Sequence, residues 1–234
     1  MITSPANDKL KLVRKLTRHA ERAKDTARPR FAAEGEDLVQ AAAAAGWTAT
    51  DVLVTPDAGL TGTEVEPELL AKASGLGSGT RAIGIYEQRW AGQPLGPTCL
   101  ALFGVADPGN VGTILRGALA LGAHSVALGP GCADPFGPKS VRASMGAIFH
   151  VPVCRIESVE DLPRPTIALA AREGEQLRGP GEGTLLIGAE RTGLPDAVRA
   201  AADHTAHIAI AGASESLNAA MAATVALYEL TRHP

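Results

Sequence analysis

A chain of 234 residues with 45% apolar and 20% charged residues holds enough apolar material for one large domain or two modest ones, which excludes a disordered chain. Aromatic residues make up only 3%, so the core must be built mainly from Ala, Leu, Val and Ile, and few rings are left to stack on bases. The net charge of −3 argues against a nucleic-acid partner until it is divided along the chain: residues 1–31 hold nine Lys or Arg against three acids, a local +6 that leaves −9 for the remainder.

From Lys9 to about Asp25 no helix breaker occurs, and Leu10, Val13, Leu16 and Ala20 recur at helical spacing. This predicts an amphipathic basic helix whose Lys9, Lys11, Arg14, Lys15, Arg18, Arg22 and Lys24, with Arg28 and Arg30 beyond it, would supply phosphate contacts. Arg28-Pro29-Arg30 ends it, and Phe31 to Gly35 leads into a second helix from about Glu36 to Ala45, stopped by Gly46. Asp51 to Thr55 and Arg81 to Tyr86 read as strands, with a short helix from Pro67 to Ser74 between them. Two prolines, two glycines and no periodicity mark a linker at 89–97, separating a small α/β unit at 1–88 from a larger one at 98–234.

In the larger unit, Cys99 to Val105, Ser125 to Leu128, Val151 to Cys154, Thr166 to Ala170, Thr184 to Ile187 and His207 to Ile210 read as buried strands. Helices are expected at Val111 to Leu121, Lys139 to Phe149, Ala197 to Ala202 and Ser216 to Thr231. Strands alternating with helices predict a parallel sheet covered on both faces. No run reaches the roughly 18 apolar residues of a membrane helix and the N-terminus lacks the apolar core of a signal peptide, so a cytoplasmic protein is expected. Cys99, Cys132 and Cys154 are odd in number and lie far from any histidine at ligand spacing, which predicts buried free thiols and no metal site.

Three segments stand out: Asp107-Pro-Gly-Asn110-Val-Gly112-Thr-Ile-Leu-Arg116, Leu186-Ile-Gly188-Ala-Glu190-Arg191-Thr-Gly193-Leu-Pro195, and Ser214-Glu-Ser216-Leu217-Asn218-Ala-Ala220. Gly109 and Gly112 keep the first strand-to-helix turn bare, so that another backbone or an RNA phosphate can approach it. Gly188 turns the chain sharply after a strand and sets Glu190 at the rim. The one match to G-x-G-x-x-[GA], at Gly77 to Ala82, precedes a strand instead of opening a helix, and no P-loop is present, so nicotinamide-binding and P-loop readings fail.

In identity, order and spacing these segments resemble the three motifs of the SpoU (TrmH-like) RNA 2′-O-methyltransferases of the SPOUT superfamily. The segment Lys139-Ser-Val-Arg142-Ala-Ser-Met-Gly-Ala147 and the first 90 residues are also similar to family elements, the latter to an N-terminal, ribosomal-protein-like RNA-binding domain. The resemblance implies a trefoil-knotted α/β fold, S-adenosylmethionine as cofactor, RNA as substrate (ribosomal RNA more than transfer RNA) and a homodimer. It assigns Arg116, Asn110, Glu190, Ser216 and Asn218 to catalysis, and Gly188, Ile208, Leu217, Ser216 and Asn218 to the cofactor. Lys139 and Arg142 would line the RNA cleft. Arg191 stands where the family usually has a small residue. A guanidinium stays protonated at neutral pH, so Arg116 is expected to orient the substrate and stabilise a developing alkoxide instead of acting as a free base. The alternatives left open are an inactive RNA-binding or ribosome-assembly protein of the same shape and a transfer RNA methyltransferase.

Overall fold

The structure is a computed structural model and describes residues 1–18, 29–75, 79–179, 181–211 and 216–232. Helix α1 (Asp8–Thr17) is capped by Asn7, whose side chain accepts from the Lys9 N–H at 2.9 Å. Its expected continuation to Asp25, with Arg22 and Lys24, and the following Arg28 lie outside the described residues. The Phe31 to Glu34 stretch, expected only as a lead into a helix, is instead most of strand β1 (Arg30–Glu34). Gly35, at φ +116°, then turns the chain into α2 (Glu36–Ala44).

Strands β2 (Asp51–Val54), β3 (Thr63–Glu64) and β4 (Ala82–Glu87), with α3 (Pro67–Ala73) before β4, complete a four-stranded sheet of order β1-β4-β2-β3. The sheet's two faces follow the period of two along its strands. Ala32, Ile83 and Ile85 face α1 and α3, whose Leu10, Val13, Leu16, Leu69 and Leu70 are buried against them. The basic helix is therefore part of a core and no detachable arm.

Phe31, Ala33 and Tyr86 face the other way and join a larger core with Leu38, Phe136, Phe149 and the helices of the second sheet. Six of the eight aromatic residues, Phe31, Trp47, Tyr86, Trp90, Phe136 and Phe149, meet at this junction, with ring centroids 5.0–6.4 Å apart. The few rings of this chain thus fasten the two sheets together. The 89–97 segment is pinned along the second sheet: the Ala91 N–H donates to the Val153 carbonyl at 2.7 Å, and the Leu95 N–H to Ser125 Oγ at 2.8 Å.

The second sheet takes β5 (Thr98–Leu102), β6 (Ser125–Leu128), β7 (Val153–Arg155), β8 (Thr166–Ala170), β9 (Glu175–Gln176), β10 (Gly183–Ile187) and β11 (His204–His207) in the order β7-β6-β5-β10-β8-β11-β9. Every pairing in it is parallel. Helices α4 (Pro108–Ala120), α5 (Pro138–Ala143), α6 (Asp196–Ala200) and α7 (Ala219–Thr231) connect or follow these strands.

Several expected boundaries move. The single helix expected over Lys139 to Phe149 is broken: Met145 (φ 49°) and Gly146 (φ 90°) turn left-handed, and a 3-10 turn at Ala147–Phe149 follows. The last strand lies earlier, at His204–His207, because its pairing with β8 and β9 stops there, so Ile208 follows the strand instead of lying in it. Helix α7 starts at Ala219, since Asn218 bends its side chain back as a cap, and Ser216 and Leu217 precede the helix. Helix α4 starts earlier than expected, at Pro108, a residue suited to the first helical position. The chain path through residues 212–215, on which the expected knot depends, lies outside the described residues.

Candidate active site

Parallel strands deliver their following loops to one edge of a sheet, and here β8, β10 and β11 deliver theirs to a cavity of about 820 Å³. Leu169 and Ala170 from the end of β8, Ile187 and Gly188 from β10, Ile208 and Ile210 after β11, and Leu217, Ala219 and Ala222 around the start of α7 give it an apolar wall. Arg172, Glu173, Glu190, Arg191 and Ser216 add polar groups.

Gly188 has a geometric reason to be glycine: a Cβ there would stand 2.2 Å from the Gly193 carbonyl carbon and from the Leu194 nitrogen. The closeness comes from a tight loop in which Ala189 and Gly193 exchange backbone hydrogen bonds of 3.1 and 2.8 Å, leaving Glu190, Arg191 and Thr192 at its tip. Gly193 takes φ +68° to close it.

Among the described residues, the backbone N–H groups of Gly188, Ile208 and Leu217 donate to no other backbone carbonyl. A mainly apolar recess with exposed main-chain donors and a few charges suits a flat heteroaromatic ring with a polar tail, and its volume suits a nucleoside-sized ligand. S-adenosylmethionine meets that description.

At the rim three loops are tied together. Glu190 Oε1 accepts hydrogen bonds from Asn110 Nδ2 and from Asn218 Nδ2, and Asn218 Nδ2 also reaches Asn110 Oδ1 at 3.2 Å. Asn110 is set by Asp107, the cap of α4, whose Oδ1 accepts the Asn110 N–H at 3.0 Å. These residues are contributed by the chain after β5, after β10 and after β11, so the cluster exists only in the folded sheet.

Arg116 stands apart. Six residues after Asn110 on the same helix, it lies about 9 Å further along the axis and about 120° around it. It is exposed, is absent from the cavity wall and forms no ion pair among the described residues. Close by, a Cβ on Gly117 would meet Thr224 Oγ1 at 3.0 Å, which marks where α4 crosses α7. Gly112 serves a similar contact: a Cβ there would stand 2.3 Å from the Ser140 carbonyl oxygen and 2.6 Å from Ala143 Cβ. It admits the backbone of α5.

The expected RNA contacts divide. Lys9 is bound to Asp51 at 2.5 Å and donates to Thr63 Oγ1 at 3.2 Å, and Lys11 pairs with Asp8 at 2.8 Å. Arg14 donates to the Pro5 carbonyl at 3.1 Å, while Lys15 and Arg30 are half-buried and Arg18 is exposed. Arg142 lies 3.9 Å from the buried carboxylate of Glu34, which also accepts from Ser74 Oγ at 2.7 Å and from the Gly75 N–H at 3.0 Å. That ion pair joins β1 of the first sheet to α5. Lys139 is exposed and has no ion pair among the described residues.

Asp107, though part of the first segment, was given no role in the sequence, nor were Arg172, Glu173 and Ile210. The pairing of Asp107 with Pro108, a cap followed by a first-turn proline, was a legible signal for the first of them. The other three are set by where β8 and β11 end. Burial raises the thiols of Cys99, Cys132 and Cys154, the last to about 12. Among the described residues no group of three or more His, Cys, Asp or Glu is placed to hold a metal, and no helix is long and apolar enough to cross a membrane.

Comparison with known proteins gives this geometry a family. The model of the SpoU rRNA methylase family matches residues 97–228. A 23S rRNA (uridine(2479)-2′-O)-methyltransferase of Streptomyces viridochromogenes is 41% identical over 141 residues, covering 54% of this chain and 49% of that protein. A 23S rRNA (guanosine(2553)-2′-O)-methyltransferase of Bacillus subtilis (strain 168) is 29% identical over 256 residues, covering 98% of each. The AdoMet-bound rRNA methyltransferase of Sinorhizobium meliloti superimposes with a TM-score of 0.83 at 32% identity, over 97% of this chain and 95% of that one. The matched span runs from β5 to α7 and takes in every loop that builds the cavity and its rim, so the chain belongs to the SpoU rRNA methylase family.

Proposed function

We propose that this chain transfers the methyl group of S-adenosylmethionine to a ribose 2′-hydroxyl of ribosomal RNA. The observation that carries the reading is the joining of Glu190 to Asn110 and Asn218 at the rim of a cavity whose floor offers the free main-chain donors of Gly188, Ile208 and Leu217. The names of the Streptomyces and Bacillus relatives, both 23S rRNA 2′-O-methyltransferases, support the choice of RNA. A ribosomal RNA substrate puts the site of action in the cytoplasm.

When bound, S-adenosylmethionine supplies an electrophilic methyl on a sulfonium. The protein's task is to hold a weak nucleophile in line with it, since a ribose hydroxyl keeps its proton far above neutrality. Fixing that geometry is worth up to about 7–11 kcal/mol. The Asn110, Glu190 and Asn218 side chains brace the rim against which the ribose rests, and Ser216 adds a hydroxyl to the cavity wall. Arg116 donates to the hydroxyl oxygen and to an adjoining phosphate, stabilising negative charge as the proton departs to the RNA phosphate or to water.

Arg116 works from outside the cavity of its own chain, which fits a homodimer. Met221, Val225 and Tyr228 form a stripe on the outer face of α7 and are 58%, 37% and 54% exposed, and Leu119 on α4 is 45% exposed. Pairing two copies through this face covers the stripe and brings Arg116, beside the crossing of α4 and α7, to RNA held partly by the second copy. The small unit formed by residues 1–88 serves as the RNA-anchoring domain.

Incubation of the protein with labelled S-adenosylmethionine and total RNA, followed by mapping of 2′-O-methyl positions, tests the reading. Label in ribosomal RNA at a ribose hydroxyl is the expected result. Cofactor binding with label only in transfer RNA would replace the substrate, and no cofactor binding at all would leave an RNA-binding assembly protein.

A further inference from the structure

Two exposed arginines sit over two tryptophan rings at the junction of the sheets. Arg89 Cζ sits 4.1 Å from the ring centroid of Trp47, and Arg155 Cζ sits 4.5 Å from that of Trp90. Both rings are fixed from beneath. Trp47 Nε1 donates to the Phe149 carbonyl at 2.8 Å and meets the Phe149 ring edge-on at 5.3 Å. Trp90 Nε1 donates to Gln88 Oε1 at 3.0 Å and meets Phe136 edge-on at 5.1 Å.

The two stacks form one patch. Arg89 precedes Trp90, the ring that Arg155 covers, and the Ala91–Val153 hydrogen bond lays this segment along β7, the strand that ends at Arg155. Neither arginine forms an ion pair among the described residues, although Glu87 and Glu157 each lie two positions away in sequence. A guanidinium resting on an indole keeps its N–H fork free in the ring plane, and that fork matches two oxygens of a phosphate. The stack also limits the side-chain freedom lost on binding.

The register of the sheet relates this patch to the cavity. Arg155 pairs with Leu128, Leu128 with Leu102, and Leu102 with Ile187, which lines the cavity. Arg155 therefore ends a straight row of four residues that crosses three strand gaps, about 14 Å at the usual spacing of about 4.8 Å. That is the reach of a few nucleotides of RNA backbone.

We propose that Arg89 and Arg155, held on Trp47 and Trp90, form a phosphate-binding edge that grips the substrate RNA a few nucleotides from the ribose that is methylated. The inference rests on the RNA methyltransferase reading and adds to it a binding site outside the three motifs. Because phosphate contacts ignore sequence, they are read by salt: each one lost from a single strand lowers the slope of log K against log salt by about 0.7.

The test compares the full-length protein with the double variant Arg89→Gln, Arg155→Gln on a 20-nucleotide single-stranded RNA and on ribosomal RNA. The salt slope should fall by about 1.4. KM for ribosomal RNA should rise roughly tenfold while kcat and S-adenosylmethionine affinity hold, as expected when binding shared by ground and transition states is removed. If the stacks serve only to brace the tryptophans, the melting temperature falls and the salt slope does not, which overturns the proposal. Should the double variant fail to fold, modification of the wild-type protein by phenylglyoxal decides: RNA must protect Arg89 and Arg155, and equal modification with and without RNA refutes it. Wild-type protein that methylates RNA with both arginines unprotected removes this inference alone, whereas wild-type protein that neither binds nor methylates RNA removes the function on which it rests.

Discussion

Asn218 holds Glu190 and the start of α7 with one side chain: its Nδ2 donates to the Glu190 carboxylate, while its Oδ1 accepts the N–H groups of Ala220 and Met221 at 2.9 and 3.3 Å. The two duties are separable by substitution. Asp caps a helix as well as Asn does, so Asn218→Asp should keep α7 in place, yet it sets a second carboxylate against Glu190. We expect a melting temperature within a few degrees of wild type and methyl transfer lowered at least tenfold. Asn218→Ala should lose both, with a stability cost of about 0.5–2 kcal/mol from the missing cap. Thermal melting and single-turnover methylation on the same samples check this, and a fully active Asp variant would detach the Glu190 contact from the reaction.

Gly112 predicts a different kind of failure. Its missing side chain admits the Ser140 carbonyl, so Gly112→Ala must push α5 away from α4. Overpacking of this kind costs about 1–3 kcal/mol or more. Denaturant titration should show the loss, while the salt slope of RNA binding by the folded protein stays the same. A lower salt slope with unchanged stability would mean that this turn contacts phosphate after all.

Asp203 ties the loop after α6 to the start of β8. The Thr166 N–H at 2.7 Å, aided by the Thr166 hydroxyl at 2.9 Å and by Arg164, holds its carboxyl below the usual aspartate range. An unfolded chain, whose aspartate titrates near about 3.9, then binds more protons than the folded one in that range. The stabilisation is therefore present above about pH 4 and is lost as pH falls through the lower folded value. Asp203→Asn should lower the melting temperature at neutral pH, and the gap from wild type should close on acidification. A gap that is independent of pH would point to packing instead of charge.

The stripe on α7 gives the dimer its own measurement. Light scattering at micromolar concentration should report twice the 24.0 kDa chain mass, and Tyr228→Glu, which buries a charge if the stripe is an interface, should return the single-chain value. A wild-type particle of 24.0 kDa would contradict the paired arrangement.

Much of this was legible in the sequence because periodicity and motif spacing are local. Thr166 to Ala170 was read to the residue, and the two glycine-marked segments were placed after the strands that precede them. The errors fell where a distant partner decides. Phe31 to Glu34 became a strand because β4 pairs with it across about fifty residues, a contact that no local pattern encodes. The helix at Lys139 had helical composition throughout but breaks at Met145, where α5 packs closely on α4 and the chain must turn toward the aromatic junction. Ile208, Ser216, Leu217 and Glu190 were singled out by type and order, and all four line the cavity. Arg116 was singled out in the same way, and it lies outside the cavity wall. Spacing along a helix states how far apart two residues are, but not what the second one faces.

The most direct test of the account is single-turnover methylation of ribosomal RNA by wild-type protein and by Arg116→Ala, with melting and S-adenosylmethionine titration on the same samples. Label at a ribose 2′-hydroxyl is expected with wild type, together with a folded Ala variant of near-normal cofactor affinity whose rate is lower by about two to four orders of magnitude. Arg116→Lys should recover little of it, because an ammonium cannot engage a hydroxyl and a phosphate in one plane. Absence of ribose methylation by the wild-type protein, or a folded Ala variant that methylates at the wild-type rate, would contradict it.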